Sequence, residues 1–143
     1  MNTILVLGGT AWLSAEVARQ AVAAGHDVTC LARGRSSFPP GVREIRADRS
    51  ESEALDLAGD SFDLIVDVAR QPGQVRSALA ALGVRGAHWV FVSTGSVYDD
   101  GDGLVGDEHD RRVQAAAQDV VTDEQYSAGK VACENAFFDV ASP

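Results

Sequence analysis

The sequence predicts an α/β fold, a doubly wound parallel sheet with strand order 3-2-1-4-5, and three observations carry that reading. The chain opens on residues 3–7 (TILVL), a continuously apolar run of the kind a strand shows when helices cover both of its faces. Strand-like and helix-like segments then alternate at a spacing that requires right-handed crossovers, each placing its helix on a face of the sheet. A glycine-containing turn joins the first strand to the first helix.

The elements follow in order. In SAEVARQAVAAG (14–25), Val17, Ala18, Ala21 and Val22 form one apolar helix face, and Gly25 stands where a helix C-terminus favours it. Residues 27–31 (DVTCL) read as the second strand, and Gly34, Pro39, Pro40 and Gly41 mark the loop after it. Residues 44–47 are a short third strand. Ser50 with Glu53 has the form of a capping box, opening a short helix that Gly59 closes. Residues 63–68 (DLIVDV) form the fourth strand. The next helix runs over 72–82, with Pro72 in its first turn, where a missing N–H costs little, and Gly83 at its end. Residues 88–92 (HWVFV) are the fifth strand, and a Gly- and Asp-rich stretch over 94–110 follows. The segment 111–121 stays open between a helix and an ordered loop. Thr122 with Gln125 repeats the capping box, and the helix it opens aligns Tyr126, Lys130, Cys133 and Phe137 along one stripe. No repeat, low-complexity tract or linker divides the chain, so 1–143 reads as one domain.

Composition narrows the function classes. With 143 residues, 45% of them hydrophobic, the chain is long enough to bury an ordinary core. Its 12 basic against 21 acidic residues give a formal charge of -9, which argues against non-specific binding to nucleic acid or anionic lipid and points to a small-molecule partner. Cys30 and Cys133 fall in a strand and a helix without metal-ligand spacing, so they are expected to be buried, reduced thiols and no metal is expected. Met1 runs into a strand without the features of a signal peptide, and no apolar run is long enough to span a bilayer, so a soluble cytoplasmic protein is expected.

Three segments carry chemistry. In VLGGTAWLS (6–14), small residues let the backbone approach a pyrophosphate while the helix N-terminus supplies N–H groups and a favourable dipole. The alternative is a plain strand-to-helix turn with no ligand. At the end of the second strand, where NAD sites usually place a carboxylate for the adenosine ribose, the chain has Arg33 and Arg35 and no acid, which favours NADP over NAD. Solvated loop arginines are the bland alternative. Tyr126 and Lys130, in YSAGK, project from one helix face about a turn apart. A free phenol titrates near ~10, and an adjacent ammonium favours the phenolate, so the pair can serve as an acid/base unit. Such a pair on a solvated helix face is the commoner case. Straight after the fifth strand, FVSTGSVY (91–98) sets the hydroxyls of Ser93, Thr94 and Ser96 close together.

In this order and at this spacing, the turn, STGSVY and YSAGKVACE resemble the extended short-chain dehydrogenases, also called the NAD-dependent epimerase/dehydratase family, over nearly the whole chain. The turn is similar to the family's GGTGFLG; of its GxxGxxG pattern Gly8 is kept, whereas Ala11 and Ser14 replace the second and third glycines. The resemblance implies a Rossmann-fold NAD(P)-binding domain in which Gly8, Thr10, Ala11, Trp12 and Leu13 contact the cofactor. It places Asp48 near the adenine amine and Ala69 along the cofactor. Thr94, aligned through the terminal VY, would polarise the substrate oxygen, Tyr126 would act as general acid/base, and Lys130 would hold the nicotinamide ribose and tune Tyr126. The implied activity is that of an NAD(P)-dependent oxidoreductase, epimerase or dehydratase passing a hydride at a hydroxyl or carbonyl carbon, with pairing of two copies through the helices around YSAGK. Family members continue with a sixth strand and a C-terminal substrate domain, so a chain ending at Pro143 is expected to be truncated and poorly active alone. The rival reading is a non-catalytic dinucleotide sensor or interaction module, which the lost glycines favour and the retained Thr94, Tyr126 and Lys130 oppose.

Overall fold

Five strands, β1 (Thr3–Leu7), β2 (Asp27–Ala32), β3 (Arg43–Arg46), β4 (Phe62–Asp67) and β5 (Gly86–Phe91), pair in parallel in the order β3-β2-β1-β4-β5. The computed structural model describes residues 1–51, 53–57, 60–83, 86–99 and 107–141. The chain packs as two compact units, Met1–Ala69 with Ser77–Val92, which holds the sheet, and Arg70–Arg76 with Ser93–Pro143.

In the sheet unit β1 is central: Leu5 lies opposite Thr29 of β2 and Ile65 of β4, and Leu7 opposite Leu31 and Asp67. Alternation of side chains then divides the core. Leu5, Leu7, Leu31 and Ile65 pack on one face with Ala78 and Leu82 of α2 (Pro72–Leu82) and with Leu55 and Leu57. Ile4, Val6, Val28, Cys30 and Val66 pack on the other with Ala18, Val17, Ala21 and Val22 of α1 (Trp12–Ala23). This two-sided cover is why β1 carries no polar alternation: four successive side chains, Ile4 to Leu7, are each at most 5% exposed. Each such burial contributes roughly 1.5–3 kcal/mol, so a charge at Leu5 or Val6 breaks the sheet at its centre. The architecture is a doubly wound Rossmann fold, as the sequence predicts.

Helix α1 begins two residues before the expected start, because the turn ahead of it is closed by a residue of its own first turn, as described below. It ends as expected: the amide of Gly25, at φ +83°, donates to Val22 O and that of His26 to Ala21 O, the paired bonds of a Schellman cap. Helix α2 has the expected bounds, and the amide of Gly83 donates back to Leu79 O at its end. Among the described residues the short helix expected after Ser50 is not seen. Asp48 Oδ1 accepts from the Ser50 amide instead, and a chain of turns, with Glu51 N donating to Asp48 O and Ala54 N to Glu51 O, delivers Ala54, Leu55 and Leu57 to buried positions. Gly59, expected to close that helix, lies outside the described residues.

The second unit is built around α3 (Tyr126–Ala141) and a 3-10 turn at Gly95–Val97 that packs against it. Tyr98 and Arg112 form an antiparallel bridge, extended by Asp99 N donating to Arg111 O and Val113 N to Val97 O. Segment 111–121 is thus an ordered loop. Its end is fastened by Gln71, whose side chain accepts from the Val121 amide at 2.7 Å and donates to the Val121 carbonyl at 3.1 Å. The second capping box is half formed, with the Thr122 amide donating to Gln125 Oε1 at 3.1 Å. Among the described residues no helix is long and apolar enough to cross a membrane, and no cluster of His, Cys, Asp and Glu suits a metal ion.

Candidate functional site

The glycine turn lies at the carboxyl end of β1, the edge where open parallel sheets bind ligands. Gly8 has φ +89°, a conformation that disfavours any side chain, and its amide donates to Leu31 O at 2.8 Å, fixing the turn to β2. Gly9 is required for space: a Cβ there would stand 2.6 Å from both Cβ and Sγ of Cys30. The family pattern gives no weight to that position, and the Gly-Gly doublet was the one available signal. Ser14, at the third-glycine position, is fully buried and its hydroxyl donates to Gly8 O at 2.6 Å. The substitution therefore closes the turn from within. Ala11 caps α1 without a side-chain acceptor, and no acid stands in the first helical turn, so the positive end of the helix dipole is left unneutralised. Ala11, Trp12 and Leu13 are exposed, Trp12 by 85%, and Thr10 is half-buried.

The loops after β2, β3 and β4 complete this edge of the sheet unit. Arg33 and Arg35 are exposed and lie close to Asp48. The Asp48 carboxyl is held below the usual carboxylate range by the Ser50 amide first, then by the Ser50 hydroxyl, with the charges of Arg33 and Arg35 adding to the effect. Ala69 is buried, and its amide donates to Asp67 Oδ1 at 2.9 Å. Asp67 is itself fully buried and takes a two-pronged ion pair from Arg49, Nη1 to Oδ1 at 2.8 Å and Nη2 to Oδ2 at 2.7 Å. Sequence reasoning singled out neither member of that pair. An acid directly after the apolar run 64–66 was the faint signal for Asp67.

In the second unit, Thr94 is half-buried with extended backbone, and its hydroxyl accepts from the Ser96 amide at the head of the 3-10 turn. Because that turn packs against α3, the structure brings the element led by Thr94 onto the helix carrying Tyr126 and Lys130. Tyr126 is the first residue of α3 and half-buried. Lys130, the only lysine of the chain, is 2% exposed. Lysine is almost never buried without partners, so the solvated-face explanation of the Tyr126–Lys130 spacing does not hold here. One further turn along α3, Glu134 accepts from the Ser93 hydroxyl through Oε1 and from Arg112 Nη1 through Oε2, the latter at 2.8 Å. This carboxylate ties the residue next to Thr94 to the helix of Tyr126 and Lys130, and the sequence reading missed it.

An NAD-dependent NDP-hexosamine 5,6-dehydratase involved in tunicamycin biosynthesis is 24% identical over 100% of this chain and 51% of its own, with a TM-score of 0.75. The chain has its fold. UDP-N-acetylglucosamine 4-epimerase from Bacillus cereus matches at 20% identity over 99% of this chain and 51% of its own, with a TM-score of 0.74. UDP-glucose 4-epimerase from Bifidobacterium longum, solved with NAD+ and UDP, matches at 16% identity over 99% and 50%, with a TM-score of 0.76. The chain thus spans about half the length of these structures, and at such identities the likeness is one of fold. No family model and no curated protein matches the sequence.

Proposed function

We propose that this chain is the dinucleotide-binding part of an enzyme of the NAD-dependent epimerase/dehydratase family, in which Tyr126 moves the proton that accompanies hydride transfer. The observation that carries the reading is the burial of Lys130 one turn after Tyr126, in a chain that has no other lysine. A buried amine at that spacing suits an acid/base role for the neighbouring phenol. Support for the cofactor comes from the sheet unit, where the uncapped N-terminus of α1 follows a turn held by Gly8, Gly9 and Ser14 and suits a diphosphate.

The nicotinamide, when bound, supplies the hydride acceptor or donor. The α1 N-terminus and the turn amides would hold the diphosphate, with Thr10, Ala11, Trp12 and Leu13 beside it and Ala69 lining its path. Asp48 would take the adenosine end. Lys130 would hold the nicotinamide ribose beside Tyr126, and the Thr94 hydroxyl would donate to the substrate oxygen as Tyr126 gives or takes its proton. We take the cofactor to be NAD. The dehydratase is named as NAD-dependent and the Bifidobacterium epimerase was solved with NAD+, so the neighbours lend no support to a preference for NADP. Arg33 and Arg35, read from sequence as partners of a 2′-phosphate, also act through their charge on the Asp48 carboxylate.

A second reading, a dinucleotide-binding module without turnover, is favoured by the replacement of two family glycines by Ala11 and Ser14. One experiment separates the two. Tyr126→Phe, placed in a form of the protein that turns over, is expected to lower kcat by roughly 10²–10⁴ while leaving NAD affinity within about twofold. Turnover that survives the substitution removes the assigned chemistry.

A further inference from the structure

We infer that Arg49 and Asp67 are positioning residues for the dinucleotide, a buried strut that fixes the loops after β3 and β4 as two walls of its site; this rests on the dinucleotide-binding reading above. Strand β3 is at one edge of the sheet and β4 is three places away, across β2 and β1. The ion pair therefore joins chain segments that do not touch through the strand ladder. Asp67 lies opposite Leu7, the residue before the glycine turn, and shares its face of the sheet, so the pair sits beside the point where the strand order reverses between β1 and β4. Two loops are tied to one carboxylate. Oδ1 and Oδ2 take the guanidinium, and Oδ1 also accepts the Ala69 amide, so the loop after β4 is set by the same group that anchors the loop after β3. Asp48 directly precedes Arg49, and its own loop geometry is fixed by the Ser50 amide. The two residues assigned to the cofactor in these loops, Asp48 and Ala69, are thus each within two positions of the strut.

Energetics favour position over stability as its role. Taking both charges out of water is costly, and apolar side chains of similar volume in place of a buried pair are commonly neutral or stabilising. What an apolar pair cannot reproduce is the two-pronged geometry or an acceptor for the Ala69 amide. The strut is expected to set how well the site fits the dinucleotide while adding little to the stability of the fold.

The test measures NAD+ affinity by calorimetry, thermal unfolding and exchange of the Ala69 amide for the wild-type chain and for Arg49→Met/Asp67→Leu. The double variant is expected to unfold within a few degrees of wild type, exchange the Ala69 amide faster and bind NAD+ about tenfold more weakly, equivalent to about 1.4 kcal/mol. Val28→Ala, which lowers stability from the opposite face of the sheet, is expected to leave the NAD+ affinity unchanged, a difference that a merely structural role would not produce. If the double variant does not fold, Arg49→Lys decides: it keeps the charge, loses the fork and is expected to weaken NAD+ binding several-fold. Wild-type binding together with an affinity within twofold in the folded variant overturns the strut and leaves the dinucleotide reading standing. Absence of wild-type binding to both NAD+ and NADH overturns the two together.

Discussion

Substituting Gly9 by alanine isolates a single contact in the turn. The new Cβ would stand 2.6 Å from Cβ and Sγ of Cys30 and 3.4 Å from its Cα. Cys30 is fully buried inside β2, so its Cβ cannot swing aside as the end of a flexible side chain could. Gly9 is not among the residues with positive φ, so the cost is one of space and not of backbone conformation. Overpacking of this kind costs about 1–3 kcal/mol. At roughly 3 °C per kcal/mol for a chain of this size, a cost of 2 kcal/mol lowers Tm by about 6 °C. The cause is read from a cycle in urea unfolding: Cys30→Gly removes the two atoms that stand 2.6 Å from the new methyl, so the double variant should be less destabilised than the sum of the singles by about 1–2 kcal/mol. Gly95→Ala is the control, because a Cβ there meets nothing within 4 Å, and it should change stability by less than about 0.5 kcal/mol. Additivity within about 0.5 kcal/mol in the Gly9/Cys30 cycle would refute the close-approach argument for this turn.

Further outcomes are expected. An amine-specific acylating reagent should modify the Met1 amine of the folded chain quickly and Lys130 at least ~10³-fold more slowly, through unfolding alone, so rapid formation of a second adduct by mass spectrometry contradicts the buried lysine. Burial pushes the Cys30 thiol up to about 11. The folded state therefore holds the proton longer than the unfolded one, and the stability this gives is whole below about pH 8.5 and lost as pH rises towards 11. Unfolding curves over that window should fall by up to about 3 kcal/mol more for wild type than for Cys30→Ala, and parallel curves would remove the linkage. Glu134→Ala strips Ser93 and Arg112 of their shared acceptor and should cost about 2 kcal/mol, whereas Glu134→Gln, which can still accept from Ser93, should cost less; equal losses would show that the Ser93 bond contributes nothing.

Local signals explain what was legible in the sequence. Residues 3–7 and 72–82 have the bounds their patterns indicate, because an apolar strand covered on both faces and a helix with Pro72 in its first turn and Gly83 after its last are specified by neighbouring residues. The stretch after Ser50 reads as a helix and folds as turns, since the deciding interactions are the capture of the Ser50 amide by Asp48 and the burial of Leu55 and Leu57 in the core, both invisible to a capping-box pattern. Tyr126 and Lys130 could be paired from their spacing, and Thr94 joined to them through the family resemblance, but the burial that separates Lys130 from a surface lysine depends on how α3 packs. Its standing as the sole lysine was a compositional signal that could have been used. Arg49 and Asp67 are 18 residues apart and meet across two intervening strands, so no local pattern could pair them. Arg33 and Arg35 were legible as cations, whereas the nearness of Asp48, which changes what they offer a cofactor, appears only in the fold.

Calorimetric titration of the wild-type chain with NADH, with NADPH as the parallel arm, bears most directly on the assignment of the β1–α1 turn to a dinucleotide. Saturable heat at one site per chain is expected with NADH, reduced or lost when Gly9 is replaced by alanine. No saturable heat with either nucleotide would contradict it.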